Sequence, residues 1–376
     1  MSFEERAGLQ GLRRAEYWCW LGLNQGVIMV ARKNRWWLAV LQAGLLAWAS
    51  AAPAADKVYV ANERADTISV LDAASFKVMA SVRVGRMPHN VQVSPDGQTV
   101  WVTNNGEPGQ AADASAHQGM DQGAHAAMVK AGAVWAIDTR NDTVVAKVPV
   151  GLHPAHVVLT PDGRYAYVTN GGDNTVSVVD TAARRVVETI PVGEYPHGIR
   201  ISPDGRQAYV ANLKDGTVSV IDTSSKLEML RIPVGKGPAQ VGFTPDGRLA
   251  FVSLSEENAV AVIDPVARKV TRKIAVGAVP IQLYATPDSR TLLVANQGTR
   301  QKPGKTLSVI DLQSLSVAKT VETGAGAHGV VIDRDGRYAY VTNTWANSVS
   351  VLDVKDRKIV ATVRVGQGPN GISVAP

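Results

Sequence analysis

The chain has 376 residues, a formal charge of +6 from 39 Lys+Arg and 33 Asp+Glu, and a single Cys. With 45% apolar and 19% charged residues, wholesale disorder is excluded, and one Cys excludes an internal disulfide framework. The length allows two or three ordinary domains, or one large all-β ring.

In chain order, residues 1–28 show no clear period, and Met29 stands where a secretory leader would begin. The basic residues Arg32, Lys33 and Arg35 precede an apolar run from Trp36 to Trp48. Small residues follow, with Ala49-Ser50-Ala51 and Ala52-Pro53-Ala54 as cleavage candidates. This three-part layout predicts a signal peptide over 29–54, behind an upstream extension of the reading frame over 1–28. The apolar run is short for a bilayer span. The expectation is an exported protein, periplasmic or secreted, whose single domain covers 55–376. Without residues 1–54 the net charge falls to +3 and Cys19 is lost. The remaining charge is spread along the chain, so nucleic acid is not favoured as a partner. A Cys-free chain also excludes a thiolate metal site and a Cys nucleophile.

From Lys57 onward the chain repeats. RYAYVTN, TVSVVDT, VVETIPVG and IRISPDG (164–205) return as RQAYVAN, TVSVIDT, EMLRIPVG and VGFTPDG (206–247). The closing glycines Gly85, Gly151, Gly193, Gly235, Gly277, Gly324 and Gly366 are spaced by 66, 42, 42, 42, 47 and 42 residues. Each repeat holds four short stretches rich in Val, Ile, Tyr and Thr, which suit half-buried strands. Pro-Asp-Gly at 95–97, 161–163, 203–205 and 245–247 predicts a tight turn between the first two strands. Four antiparallel strands per repeat of this length predict a seven-bladed β-propeller. The chain enters at KVYVAN (57–62), a second strand, and ends at GPNGISVAP (368–376), a first strand. The C-terminal strand is therefore expected to complete blade 1 and close the ring.

YVTN occurs at 167–170 and 340–343, with near-copies at 59–62, 101–104, 209–212 and 293–296. With the Ser-Pro-Asp-Gly turns and Val-Ile-Asp-Thr strand ends, the chain resembles the YVTN family of seven-bladed propellers over about 57–376. Within it, the chain is similar to exported YncE-like proteins. The resemblance implies the fold. The wider group includes surface-layer proteins, lactonase-like propellers and haem-binding propellers, so a lactonase-like or haem-using enzyme and a nucleic-acid-binding protein are the implied alternatives. In the motif, Tyr and Val are expected to pack between blades, and Asn to bond its own loop. The Asp residues Asp180, Asp222 and Asp311 are expected to cap turns. Blade 5 departs from the pattern with FVSL at 251–254.

The meander places the Gly-x-x-Pro linkers and the loops between strands two and three around one mouth of the channel, and all seven His read onto that mouth. His89, His197 and His328 stand four residues after the linker glycine, and His156 is offset by one. Ala239, Ile281 and Asn370 hold that register in blades 5, 6 and 1. His153 shares the linker of His156. The remaining two lie in a 24-residue insertion in blade 2, within 107–133, as His117-x-x-Met120 and His125-x-x-Met128. Met87 stands two residues before His89. Imidazole with thioether is a copper donor set. His117, Met120, His125, Met128, Met87, His89, His156, His197 and His328 are thus the candidate metal ligands, with copper the favoured ion. A loop with incidental His and Met, and linker histidines that only bond neighbouring loops, are the plain alternatives. Trp345 sits on the same mouth, placed to stack on a ligand or to pack. The expected function is non-catalytic binding of a metal, small ligand or partner protein.

Overall fold

A computed structural model describes residues 57–106 and 132–375. The predicted leader, the 1–28 extension, and His117, Met120, His125 and Met128 lie outside these residues. Among the described residues there is no helix, and hence none long and apolar enough to cross a membrane.

Seven four-stranded antiparallel sheets form the blades. Six run in simple sequence order. In the seventh the C-terminal strand Pro369–Val374 pairs with Lys57–Asn62, ahead of Thr67–Asp72 and Lys77–Arg83. Val58, Tyr59 and Val60 face Val374, Ser373 and Ile372, so the ring closes as the chain ends predict. Closure removes the open edges that a lone blade would present.

Seven buried apolar clusters each combine residues of two adjacent blades. The aromatic of each YVTN-like motif enters these interfaces: Tyr59, Tyr167 and Tyr209 are fully buried. Tyr59, Tyr167 and Tyr340 donate their hydroxyls onward to Asp142 Oδ1 (3.1 Å), Thr223 O (3.2 Å) and Ala73 O (3.4 Å) of the following blade. In these three a large ring fills the interface while its polar end stays bonded, whereas the buried Tyr209 hydroxyl has no partner. The Asp turn caps form as expected, with Asp180 Oδ1 accepting Ala183 N and Asp311 Oδ1 accepting Ser314 N.

The motif Asn differs from expectation. In five blades it donates to hydroxyls on the third strand rather than to its own loop, while Asn104 donates to Val102 O at 3.1 Å. Asn170 Nδ2 reaches Thr175 Oγ1 and Ser177 Oγ at 3.0 and 2.9 Å, and Asn62, Asn212, Asn296 and Asn343 repeat the pattern. Burial forces this choice, because a fully enclosed amide needs partners inside the blade. In blade 5 the Asn is Leu254, and the facing positions are Ala259 and Ala261. The amide and its hydroxyl partners are lost together.

The channel-lining first strands carry a bulge. Pro196 faces Asn212 and Ile199 faces Val210, so His197 and Gly198 stand against one residue, Ala211. The same two-against-one pairing sets Ala155 and His156 against Thr169, and His328 and Gly329 against Thr342. A bulge re-aims side chains at the rim of a sheet. Here each blade gains two adjacent positions at the channel mouth.

Candidate metal centre

The bulges explain how histidines from two registers meet. His89 and His197 take the first bulge position of their blades and His156 the second. Their ring nitrogens converge, with one atom of each within 4.8 Å of the others. His328 joins as a neighbour of His89, with ring centroids 6.1 Å apart. Four of the predicted ligands therefore share one locus. His153 is not among the three converging side chains. Met87 stands on the same linker as His89 in a left-handed conformation (φ 48°), its N–H donated to Asp66 Oδ1 at 2.9 Å. Trp345 lies over Gly326, where an added Cβ would meet its ring at 2.7 Å, so the indole packs on the linker.

A hydroxyl holds the bulges in place. Thr169 Oγ1 accepts the His156 N–H at 2.9 Å and donates to the His197 carbonyl of the next blade at 2.7 Å. Thr103 and Thr342 make the same paired contacts, to Asn90 N and Ala155 O, and to Gly329 N and Asn370 O. The Thr of YVTN is thus a latch between consecutive blades at the level of the imidazoles. The sequence reading missed this role. The signal was present in the alternation of Thr or Ser with Ala at that position (Ala61, Ala211, Ala295).

The protonation pattern follows from the bonds. Ala239 O can only accept, so His197 Nδ1, 2.9 Å away, carries the proton. Its Nε2 then presents a lone pair toward His89 Nε2 at 3.2 Å. Asn370 Nδ2 bridges His89 Nδ1 at 3.0 Å and Glu63 Oε2 at 2.9 Å, and Glu63 Oε1 lies 3.7 Å from His89 Nδ1. Glu63 and Asn370 are site members that the sequence reading did not name as such, although Asn370 was noted at the histidine register.

His156 is 1% exposed, and its Nε2 has no hydrogen-bond partner. His328 is 5% exposed with Nδ1 likewise unpartnered. Burial, reinforced by the neighbouring imidazoles, pushes His156 well below its ordinary value. The same causes lower His197 to about 4 and His328 to about 3. These are neutral imidazoles at neutral pH, the form that binds metal.

A propeller with a convergent imidazole cluster at one channel mouth is thereby defined. A model of YNCE-like β-propellers matches residues 298–375, and a model of the cytochrome d1 haem domain matches 125–239. The solved hydrazine synthase of Kuenenia stuttgartiensis is similar at TM-score 0.65 and 24% identity, covering 77% of this chain and 90% of that one. The periplasmic gluconolactonase of Pseudomonas aeruginosa is similar at TM-score 0.67 and 19% identity, covering 85% and 99%. At these identities the likeness is one of fold. Antigen Lp49 of Leptospira interrogans is 28% identical over 123 residues, and the match spans a quarter of that protein's length and 33% of this chain. The YNCE-like match is confined to 298–375, and the solved neighbours share the propeller fold.

Proposed function

We propose that this is an exported, non-catalytic propeller that binds a transition metal, copper by preference, through His89, His156 and His197. The observation that carries the reading is the convergence of three ring nitrogens within 4.8 Å, with the buried His156 Nε2 lacking any partner. A buried unsatisfied polar atom costs about 1–3 kcal/mol, which coordination would relieve. Two imidazole nitrogens bound to one tetrahedral ion at 2.0–2.1 Å lie roughly 3.3 Å apart. His89 Nε2 and His197 Nε2 are 3.2 Å apart. The Nδ1–H of His197 held by a backbone carbonyl is the usual support for a ligating imidazole. Copper(II) leads zinc at an imidazole site in the Irving–Williams order. His328, with its ring 6.1 Å from that of His89, is the candidate fourth donor. The periplasmic gluconolactonase neighbour is compatible with export.

A haem reading has one observation behind it, since the d1 haem-domain match includes His156 and His197. Two imidazoles flanking one haem iron would hold their nitrogens roughly 4 Å apart, twice one metal–imidazole bond. The 3.2 Å separation of His89 and His197 does not fit that arrangement.

Metal analysis of protein purified without added metal, with titration of Cu(I), Cu(II) and Zn(II), tests the proposal. The expected result is one ion per chain, copper tighter than zinc, with at least a hundredfold loss in His197→Ala. Absence of stoichiometric binding, or equal affinity in a His156→Ala/His197→Ala double variant, would overturn it. A deletion of 111–131 in the same titration measures what the insertion adds. A Soret band in the purified protein would favour haem.

A further inference from the structure

The first strands carry a second constellation, further along the channel. Arg200, on Pro196–Ile201 of blade 4, donates to Gln92 Oε1 of blade 2 at 3.3 Å. Its guanidinium also faces the Tyr284 ring of blade 6 at 5.7 Å. Contacts with blades two places away on both sides put the charge in the middle of the channel. Gln92, Arg200 and Tyr284 share one register, four residues after the linker prolines Pro88, Pro196 and Pro280. Val158, Gly242, Val331 and Ser373 complete that level, so Arg200 is its only charged group.

A guanidinium does not lose its proton in proteins, so this charge has to be balanced. Among the described residues no carboxylate lies within ion-pair distance of it; its neighbours are an amide oxygen and a ring face. Most of its five N–H donors therefore remain available. An unbalanced charge in a confined site is costly unless a counter-charge enters.

The constellation lies toward the end of the channel opposite the histidines. At the histidine level, His156, Gln240, Gln282 and Asn370 are 1–3% exposed, while His89 and His197 are partly exposed. Gln92, Arg200 and Tyr284 are each partly exposed. The first strands run from the linkers toward the Pro-Asp-Gly turns, and Arg200 lies two residues before Ser202-Pro203-Asp204-Gly205.

We propose that Arg200, Gln92 and Tyr284 form an anion site opening at the Pro-Asp-Gly end of the channel, for a small oxyanion such as a carboxylate or phosphate. The guanidinium fork suits bidentate oxyanion binding, where a lysine would offer only a point charge. Gln92 Nε2 uses one hydrogen on Val93 O at 3.2 Å and keeps a second for the ligand. The anion site does not rest on the metal reading, because none of its residues is an imidazole, although the Arg200 charge also acts on His156 and lowers it.

Isothermal titration in low-chloride buffer with inorganic phosphate and with acetate tests this on the wild-type chain, Arg200→Met and Arg200→Lys. Thermal melting checks each fold, and metal content is measured in parallel. At least one anion should bind the wild type at one per chain, at least tenfold more weakly to Arg200→Met, with Arg200→Lys between. If Arg200→Met does not fold, the comparison rests on Arg200→Lys, which should still bind several-fold more weakly. Binding of neither anion to the wild type, or equal binding to the folded variants, overturns the proposal whatever the metal content proves to be.

Discussion

Thr169 links the repeat motif to the candidate site, so its hydroxyl is the most informative atom to remove. Thr169→Val keeps the shape and deletes the donor and acceptor together. The His156 N–H and the His197 carbonyl then each lose a partner that stood at 2.9 and 2.7 Å. Each buried group left unsatisfied costs about 1–3 kcal/mol, so the pair should cost about 2–6 kcal/mol. For a ring of roughly 320 residues with an unfolding entropy of about 2.1 cal/mol/K per residue, that lowers the melting temperature by roughly 3–9 °C. The same change frees the backbone beneath two converging imidazoles. Loss of such supporting contacts typically weakens metal binding by about 10–100-fold. Calorimetric melting and copper titration of wild type, Thr169→Val and Thr169→Ser give both readouts, and the Ser variant should retain most of each. A Val variant that melts within 1 °C of wild type with unchanged copper affinity would show that the hydroxyl is not a latch.

Acid should destabilise the ring through its buried imidazoles. His197 and His328 are lowered to about 4 and about 3 from an ordinary value near 6.5. The unfolded chain therefore takes up protons first. Their contribution is complete above pH about 6.5 and is lost as pH falls toward 4 and then 3. Urea unfolding of wild type and of His197→Gln/His328→Gln across that range checks this; parallel pH curves would contradict it. Deleting Ile372 to Pro376 removes the strand facing Val58, Tyr59 and Val60 and should lower the melting temperature by more than about 10 °C, since it reopens the edge of blade 1. An unchanged melt would refute the closure. In blade 5, Leu254→Asn should cost about 2–4 kcal/mol, and adding Ala261→Ser should restore about 1 kcal/mol by supplying the hydroxyl found in other blades. Strictly additive effects in that cycle would deny the coupling.

The blade count, the strand order and the closing strand were legible because glycine spacing and motif order repeat, and repetition is a property of sequence. The meeting of His89, His197 and His328 was also legible, through their common distance from the linker glycine. His156 stood one residue off that register, and only the bulge explains why it still converges with the others. A bulge is a matter of strand pairing, which single-chain spacing does not record. Glu63 and Asn370 were equally hard to assign, because each is a polar residue in a loop or linker until His89 is placed 3.0–3.7 Å away. The motif Asn was assigned a local turn because side-chain competition for nearby backbone is the usual habit of Asn in loops. Burial reversed that preference.

A closed ring offers seven equivalent positions at each level, so a site can exist only where the repeat is broken. At the histidine level blades 2, 3, 4 and 7 supply imidazoles, while blades 5 and 6 supply Gln240 and Gln282, whose oxygens accept Val241 N and Val330 N. Gly198, Gly329 and Gly371 keep the second bulge position empty. At Gly198 an added Cβ would fall 1.9 Å from Gln240 Oε1, so the glycine makes room for the neighbouring blade's side chain. The pattern is one of complementary breaks: small where a neighbour reaches across, imidazole where nitrogens are to converge. The Arg200 level obeys the same logic with one charge, one amide and one ring among apolar, Gly and Ser neighbours. Bulges and latches recur around the ring, while the chemistry is confined to a few departures. Exchanging His89 with the Ala239 position of blade 5 should therefore keep the fold and abolish metal binding, because backbone equivalence does not carry the convergence of nitrogens.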